Sequence, residues 1–305
     1  MASMGHQPPE VQRNLTAGIP LIRFDFWPKK EIMGQDNPPA VGGSFTMPIK
    51  LISTDFDGTL FAEFENPPIP VRVHELISSL QKQGAKWIIN TGRDMSSLME
   101  AFGRTHITIE PDYLVLVERE IYTNQNSSFV GLEPWNSDCT ESHAKLFAQV
   151  EPDLPELVEW IHKRFHARTY QDAFSPFCII ASSNADMDIV HARLEAYCAT
   201  IPDLTVVRND VYARFSHVNY NKGAALREIA QRLGVGPEET FAAGDHLNDL
   251  PMLQRCHAHF LATPSNGVPE VHAQVRAQNG FISTLHAGEG IAEALEHFIT
   301  TTGRP

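Results

Sequence analysis

An apolar run, Ile49–Thr54, passes directly into Asp55-Phe56-Asp57-Gly58-Thr59, and no other stretch limits so narrowly what this chain can become. A short run of this kind that ends in an acidic glycine turn reads as a buried parallel strand. Two carboxylates two residues apart at its end can address one small volume, one to attack and the other to handle a proton. Gly58 permits the tight backbone turn that such crowding needs. By average residue usage, a D-x-D-G-T string arises by chance in a chain of this length only about a few times per thousand.

Downstream, strands and helices alternate. Val71–Gln83 carries helical apolar spacing at Val73, Leu76 and Leu80 and stops at Gly84. Lys86–Asn90 and Tyr113–Val117 read as strands, with Met95–Phe102 as the helix between them. This βαβαβ order implies a parallel sheet with helices on its faces. The middle of the chain differs: Leu154–Phe165 and Asp186–Thr200 read as helices and Phe177–Ala181 as a strand. Leu204–Val207 and Val211–Phe215 form a strand pair around Asn209-Asp210, an antiparallel signal. The parallel pattern then resumes with helix Lys222–Leu233, strands Thr240–Ala243 and His259–Ala262, and a closing helix Ile291–Thr300. The expected fold class is α/β: a Rossmann-like parallel-sheet core, residues 48–122 and 216–305, interrupted by an inserted α+β unit at 123–215. Residues 1–47, rich in proline, read as a flexible N-terminal arm in which Ile19–Trp27 could pack on the body.

Three further segments carry chemistry at expected strand ends. Ile88-Ile89-Asn90-Thr91-Gly92-Arg93 offers a hydroxyl and a backbone N–H to an oxyanion, or serves as an ordinary strand-to-helix turn. Lys222 opens a helix, where the positive end of the dipole disfavours a cation; that local conflict hints at a role beyond a solvated surface lysine. Phe241-Ala242-Ala243-Gly244-Asp245-His246-Leu247-Asn248-Asp249 sets a second acidic cluster after a strand, an oxygen-only donor set that suits magnesium rather than zinc.

Composition narrows the partners. With 24 basic and 37 acidic residues the chain has a formal net charge of −13, so it has no global attraction for nucleic acid or anionic membranes. An anionic substrate would need a local positive site. Cys139, Cys178, Cys198 and Cys256 are scattered without C-x-x-C spacing, as free thiols of a reducing compartment would be. No apolar run approaches the roughly 20 residues that span a bilayer, and the polar N-terminus lacks a signal-peptide core. A soluble, cytoplasmic enzyme acting on a small molecule is expected; the sequence carries no signal for oligomeric state.

Taken together, D-x-D-G-T, strand-T-G-R, K-G and G-D-x-x-N-D resemble, in order and context, the four motifs of the haloacid dehalogenase-like (HAD) hydrolase superfamily. The resemblance covers residues 48–122 and 216–300. The α+β insertion between the second and third motifs is similar to the type IIB cap of the Cof-like and sucrose-phosphate-phosphatase-like branch. The resemblance implies Asp55 as nucleophile of an aspartyl-phosphate and Asp57 as the acid and base. It implies Thr91, with Gly92 and Arg93, as the phosphoryl-holding turn, and Lys222 as the neutralising cation. Mg2+ would be held by Asp55, Asp57 through its carbonyl, and Asp245, with Asn248 and Asp249 in support. Dehalogenase relatives lack the second aspartate, so phosphoester chemistry is favoured: hydrolysis of a sugar phosphate, or alternatively phosphotransfer by a phosphomutase. A non-catalytic protein that kept the fold is the remaining alternative, against which the intact motif set speaks.

Two places depart from the family pattern. Val117-Glu118-Arg119-Glu120 stands where relatives carry a small turn, which makes Arg119 a candidate phosphate or substrate contact, or a partner in an ion pair at the hinge. Thr263-Pro264-Ser265-Asn266-Gly267 replaces an Asn-Ala pair, a change expected to be conservative. Within the insertion, Tyr170, Gln171, Asp172, Arg208, Asn209, Asp210, Tyr212 and Arg214 could read a substrate or be ordinary surface and hairpin residues. His162 and His166 are four apart but have no third ligand, and with His143 and His191 they read as non-ligating.

Overall fold

The computed structural model describes residues 22–23, 49–105 and 107–302. The expected flexible arm lies outside the described residues except for Ile22–Arg23. In chain order the elements are β1 Ile22–Arg23, β2 Leu51–Thr54, α1 Val71–Lys82, β3 Lys86–Asn90, α2 Met95–Gly103, β4 Tyr113–Leu116, β5 Glu120–Asn124 and β6 Ser128–Gly131. There follow α3 Trp135–Val150, α4 Leu154–His162, β7 Ala167–Tyr170, β8 Cys178–Ala181, α5 Asn184–Cys198, β9 Leu204–Asn209 and β10 Tyr212–His217. The chain closes with α6 Lys222–Leu233, β11 Thr240–Ala243, β12 Phe260–Thr263, α7 Pro269–Ala277, β13 Phe281–Ile282 and α8 Ala287–Thr302.

Among the described residues, the larger sheet runs β1-β6-β5-β4-β3-β2-β11-β12-β13, parallel from β4 to β13 and antiparallel at its β1-β6-β5 edge. The α/β class expected from the sequence is therefore observed. Successive strand residues point to opposite faces and so feed two cores. Ile52, Ile89, Leu114 and Phe241 pack with α1, α2 and α8, whereas Leu51, Ile88, Val115 and Ala242 pack with α6 and α7. Burial on both faces is what the unbroken apolar strands require. Trp87, the largest fully buried side chain among the described residues, keeps its indole N–H satisfied on Thr54 Oγ1 at 3.1 Å.

The second sheet, β7-β8-β10-β9, is antiparallel throughout. Ile179, Ala213 and Phe215 on one face pack against α3, α4 and α5 in a core of their own. The opposite face carries Tyr212, Arg214 and Ser216 and meets the larger sheet, with Arg214 Nη2 donating to Val117 O at 2.6 Å. The sequence pattern starts the insertion at residue 123, but β5 and β6 form a hairpin that hydrogen-bonds within the larger sheet as far as Gly131. Its turn residues Asn126 and Ser127 adopt φ of 54° and 62°, which the alternation of apolar residues alone does not signal.

Helix α3 has no counterpart in the sequence-based expectation. Its buried stripe is Cys139, His143, Leu146 and Val150, at helical spacing but with a polar residue in the middle. His143 Nε2 faces the backbone N–H of His217 at 3.1 Å and must accept, so Nδ1 carries the proton and donates to Cys139 O at 2.8 Å. Burial, with the nearby Arg119 cation, lowers the His143 pKa from its ordinary 6.5 to about 3. The contribution of this neutral histidine to stability is present above pH 6.5 and is lost as pH falls toward about 3. His143→Gln can keep both bonds without titrating. Urea denaturation at pH 7 and pH 5 is expected to show the wild-type protein losing about 1–2 kcal/mol more than the variant.

Candidate active site

Three parallel strands deliver the site. β2 lies between β3 and β11, and the chain leaves their carboxyl ends at Asp55, Thr91 and Asp245. Asp55 is held there by its own N–H, which donates to Ala243 O at 2.9 Å. Gly58 turns the chain at φ 72°, and a Cβ there would lie 2.4 Å from Asp245 Oδ2, so the approach of the two acidic loops demands glycine. Thr59 Oγ1 donates to Asp245 Oδ1 at 2.8 Å and ties the loops together.

Lys222 is the hub. Asn221 caps α6 through a bond from Ala224 N to its side chain, which directs the first helical residue inward. Its Nζ lies 2.6 Å from Asp55 Oδ1 and 2.7 Å from Asp249 Oδ1, and the side chain is completely buried. Asp249 Oδ2 in turn accepts the N–H groups of Asp245 and His246, both at 2.9 Å. Oxygens of Asp55, Asp245 and Asp249 lie within 4.8 Å of one another.

One ammonium among three carboxylates leaves two formal negative charges in a dry place. Burial works against the Lys222 charge, but Asp249 and Asp55 outweigh it and raise its pKa, so it stays protonated. Asp55 is raised well above the ordinary range by burial and by the charges of Asp249 and Asp245. Asp245 is raised to about 7 by burial and by Asp249. A second cation would relieve this, and the donors fit a hard divalent ion: every available atom is oxygen. Asn248 adds to the fit. Its Nδ2 donates to Glu118 Oε1 at 2.9 Å, leaving Oδ1 a buried acceptor without a partner among the described residues. No other group of three His, Cys, Asp or Glu converges among the described residues, so His143, His162, His166 and His191 form no such cluster.

The other sequence candidates are distributed as follows. Thr91 donates its N–H to Val115 O, and its Oγ1 accepts from Arg93 N at 3.1 Å. Arg93 grips Asp57 with two parallel bonds of 2.7 Å, with its guanidinium 5.5 Å from the Phe56 ring centroid. Gly92 faces Glu118, whose Oε1 is 3.3 Å from where a Cβ would stand. Arg119 is not brought to the carboxylates: its Nη2 donates to Phe174 O at 2.6 Å and its Nη1 to Ser216 Oγ at 3.5 Å. Arg214 is buried against Glu118, while Arg208 pairs with Asp188 and Asp172 caps the turn at Phe174 and Ser175.

Two residues at the site carry no role in the sequence-based expectation. Asn266 donates to Gly58 O at 2.8 Å and accepts from Ala287 N, so the loop expected to be a conservative change pins the Asp55–Thr59 turn. Glu118 joins Asn248, Arg214 and Gly92. The signal for it was the Glu-Arg-Glu departure, read at Arg119 instead.

Removing the hub leaves two buried carboxylates unpaired. Lys222→Met is expected to destabilise the protein by about 3–5 kcal/mol at pH 8. Because Asp55, already raised, then loses the lysine charge that lowers it, the deficit should shrink as pH falls to 5, which denaturation curves at the two pH values would show.

Residues 48–299 match the family model described as sucrose-6F-phosphate phosphohydrolase. The fold is similar to the sucrose-phosphatase of Synechocystis sp. PCC6803 solved with sucrose and phosphate, at TM-score 0.62 and 18% identity over 83% of this chain and 98% of that one. It is also similar to a haloacid dehalogenase-like hydrolase from Bacteroides thetaiotaomicron, at TM-score 0.56 and 19% identity over 82% and 99% of the two chains. In sequence it is 23% identical to 5-amino-6-(5-phospho-D-ribitylamino)uracil phosphatase YcsE of Bacillus subtilis over 268 residues, 82% of this chain and 96% of that protein.

Proposed function

Since the chain belongs to the sucrose-6F-phosphate phosphohydrolase family of HAD-like hydrolases, and is a phosphoric monoester hydrolase, we propose that it cleaves a small sugar phosphate through an aspartyl-phosphate on Asp55. The observation that carries this reading is the buried Lys222, which holds the Asp55 carboxylate at the end of the central strand and shares its charge with Asp249. A carboxylate approaches a phosphate only where cations screen their repulsion, and a cation with no exposure to water does so most strongly.

In the proposed reaction an Asp55 oxygen forms a bond to phosphorus as the bond to the substrate oxygen breaks, and Asp57 gives the departing alkoxide its proton. Asp57 then takes a proton from water, which attacks the phosphorus and returns the Asp55 carboxylate with release of inorganic phosphate. Arg93 holds both Asp57 oxygens through its two bonds, and one of these would have to open for each transfer. The Thr91 hydroxyl and the Gly92 turn hold a phosphoryl oxygen. Asp55, the Asp57 carbonyl and Asp245 would hold magnesium, with Asn248 and Asp249 in support, and the ion would supply charge neutralisation at the phosphoryl oxygens. The smaller sheet and its helices act as the cap that selects the rest of the substrate. The Synechocystis structure, with sucrose and phosphate bound, supports a sugar phosphate as the substrate class.

Asp55→Asn should lower phosphate release from p-nitrophenyl phosphate at least about a thousandfold while the melting temperature stays near that of the parent. Full activity in this variant would sink the nucleophile assignment. With a panel of sugar phosphates, free phosphate is the expected product, and an isomerised sugar without it would overturn the hydrolase reading.

Chelation should abolish turnover and added magnesium restore it. Magnesium at about a hundred times its Kd should stabilise the parent by roughly 2.7 kcal/mol, and Asp245→Asn should lose most of that gain in thermal denaturation.

A further inference from the structure

The turn between β4 and β5 is built against its sequence. Val117 and Glu118 both adopt positive φ, 46° and 68°, and Arg119 N closes the turn on Leu116 O at 3.0 Å. Glycine and asparagine suit these positions, and a β-branched valine there costs on the order of 1–3 kcal/mol. The strain is held in place by Val117 N on Arg93 O and by Arg214 on Val117 O. Its consequence is that Glu118 and Arg119 part company. Glu118 goes to Asn248 and Gly92, while Arg119 goes to the wall of a separate cavity of about 510 Å³ between α3 and the loop from Gln171 to Pro176.

Arg119 is only 4% exposed, yet it pairs with no carboxylate among the described residues. Its acidic neighbours are engaged elsewhere: Glu118 with Arg214 and Asn248, and Glu120, also on the cavity wall, with the Tyr122 hydroxyl at 2.9 Å. Of the other polar side chains nearby, His143 is neutral and Ser216 is a hydroxyl; Glu151 and Asp172 also stand on the cavity wall, but both are exposed, and Asp172 Oδ1 accepts from the N–H groups of Phe174 and Ser175. A second cation, Arg214, stands close by, and burial together with that like charge depresses the Arg119 pKa, the direction a missing counter-charge produces. Burying a cation without a counter-ion is costly, and the cavity whose wall Arg119 joins is where a counter-ion can enter. The volume falls in the range of small-molecule sites, and Ala144, Phe147, Ala148 and Pro176 give it apolar walls. None of Asp55, Asp57, Thr91, Lys222, Asp245 or Asp249 lines it.

We propose that this cavity is an anion site apart from the aspartate cluster, in which Arg119 receives the carboxylate or phosphate of a small organic acid. A planar guanidinium suits either group. The anion could be the far end of a substrate or a separate metabolite, and two measurements divide these. Citrate serves as the free anion in thermal denaturation and calorimetry: it should stabilise the parent and bind, with binding weakened at least tenfold in Arg119→Gln. Ala144→Glu, at an exposed helical position on the cavity wall, supplies a counter-charge without touching Arg119 and should likewise abolish citrate binding, which keeps the test open if Arg119→Gln fails to fold.

For the substrate-end source, Ala144→Glu should raise the KM for fructose 1,6-bisphosphate at least tenfold and leave p-nitrophenyl phosphate turnover within twofold. The binding measurements need no turnover, so failure of the hydrolase reading and failure of the anion site are read separately. Either positive result supports the site and names its source. No citrate binding that depends on Arg119 or Ala144, together with unchanged KM values, overturns it.

Discussion

The Lys222 ammonium, fully buried between Asp55 and Asp249, is the interaction on which the rest of the site depends. Taking these ions out of water costs several kcal/mol each, and their mutual attraction repays that only when geometry is tight and the remaining atoms are bonded. The fold meets both conditions. Asp249 spends its second oxygen on the N–H groups of Asp245 and His246, so the lysine, the strand that ends at Asp55 and the second acidic loop are fixed by one set of bonds. Gly223, which follows the lysine, lies so close to Pro251 O that a Cβ would approach it to 2.2 Å, so the helix start is pressed against the loop that carries Asp249. Such an arrangement is poor value as a stability device and makes sense as chemistry.

Much of this is legible in the sequence. The parallel strands announced themselves as short apolar runs because they are buried on both faces, and Lys86–Asn90, Lys222–Leu233 and Thr240–Ala243 fall where apolar spacing puts them. The clustering of Asp55, Asp245, Asp249 and Lys222 is implied by the family resemblance, while the carboxylates at strand ends and a lysine in an unfavourable dipole position give only hints of it. What was not legible had a physical reason in each case. Helix α3 escaped notice because cysteine and histidine occupy two places in its buried stripe, and hydropathy does not count a neutral histidine as core. Hairpin β5–β6 escaped because its turn has neither glycine nor an Asn-Gly pair, although the chain takes positive φ there all the same.

The segment Glu118-Arg119-Glu120 is more instructive. Residue type alone points to the arginine, as a substrate contact or a hinge ion pair, and gives the neighbouring acids no role at the aspartate cluster. Backbone conformation decides otherwise, because two consecutive residues in the left-handed region rotate the chain so that the acid, not the base, faces Gly92 and Asn248. A sequence read by residue type does not carry that rotation, since valine and glutamate give no warning of positive φ.

That same acid joins the two sheets. Glu118 belongs to the turn between two strands of the larger sheet, Arg214 to the inward face of the smaller one, and Asn248 to the second acidic loop. The Arg214–Glu118 pair is almost wholly buried, and burial raises the arginine's reliance on its partner: desolvation opposes its charge, and Glu118 restores it. Separating the sheets would expose or strand both charges, so the position of the smaller sheet and the state of the acidic loop are linked through a single carboxylate. Asn248 has its amide nitrogen committed to Glu118 and its carbonyl oxygen left without a partner among the described residues. The ion pair that seats the smaller sheet thereby also aims an acceptor, and the strain at Val117 is the cost of having one turn do both.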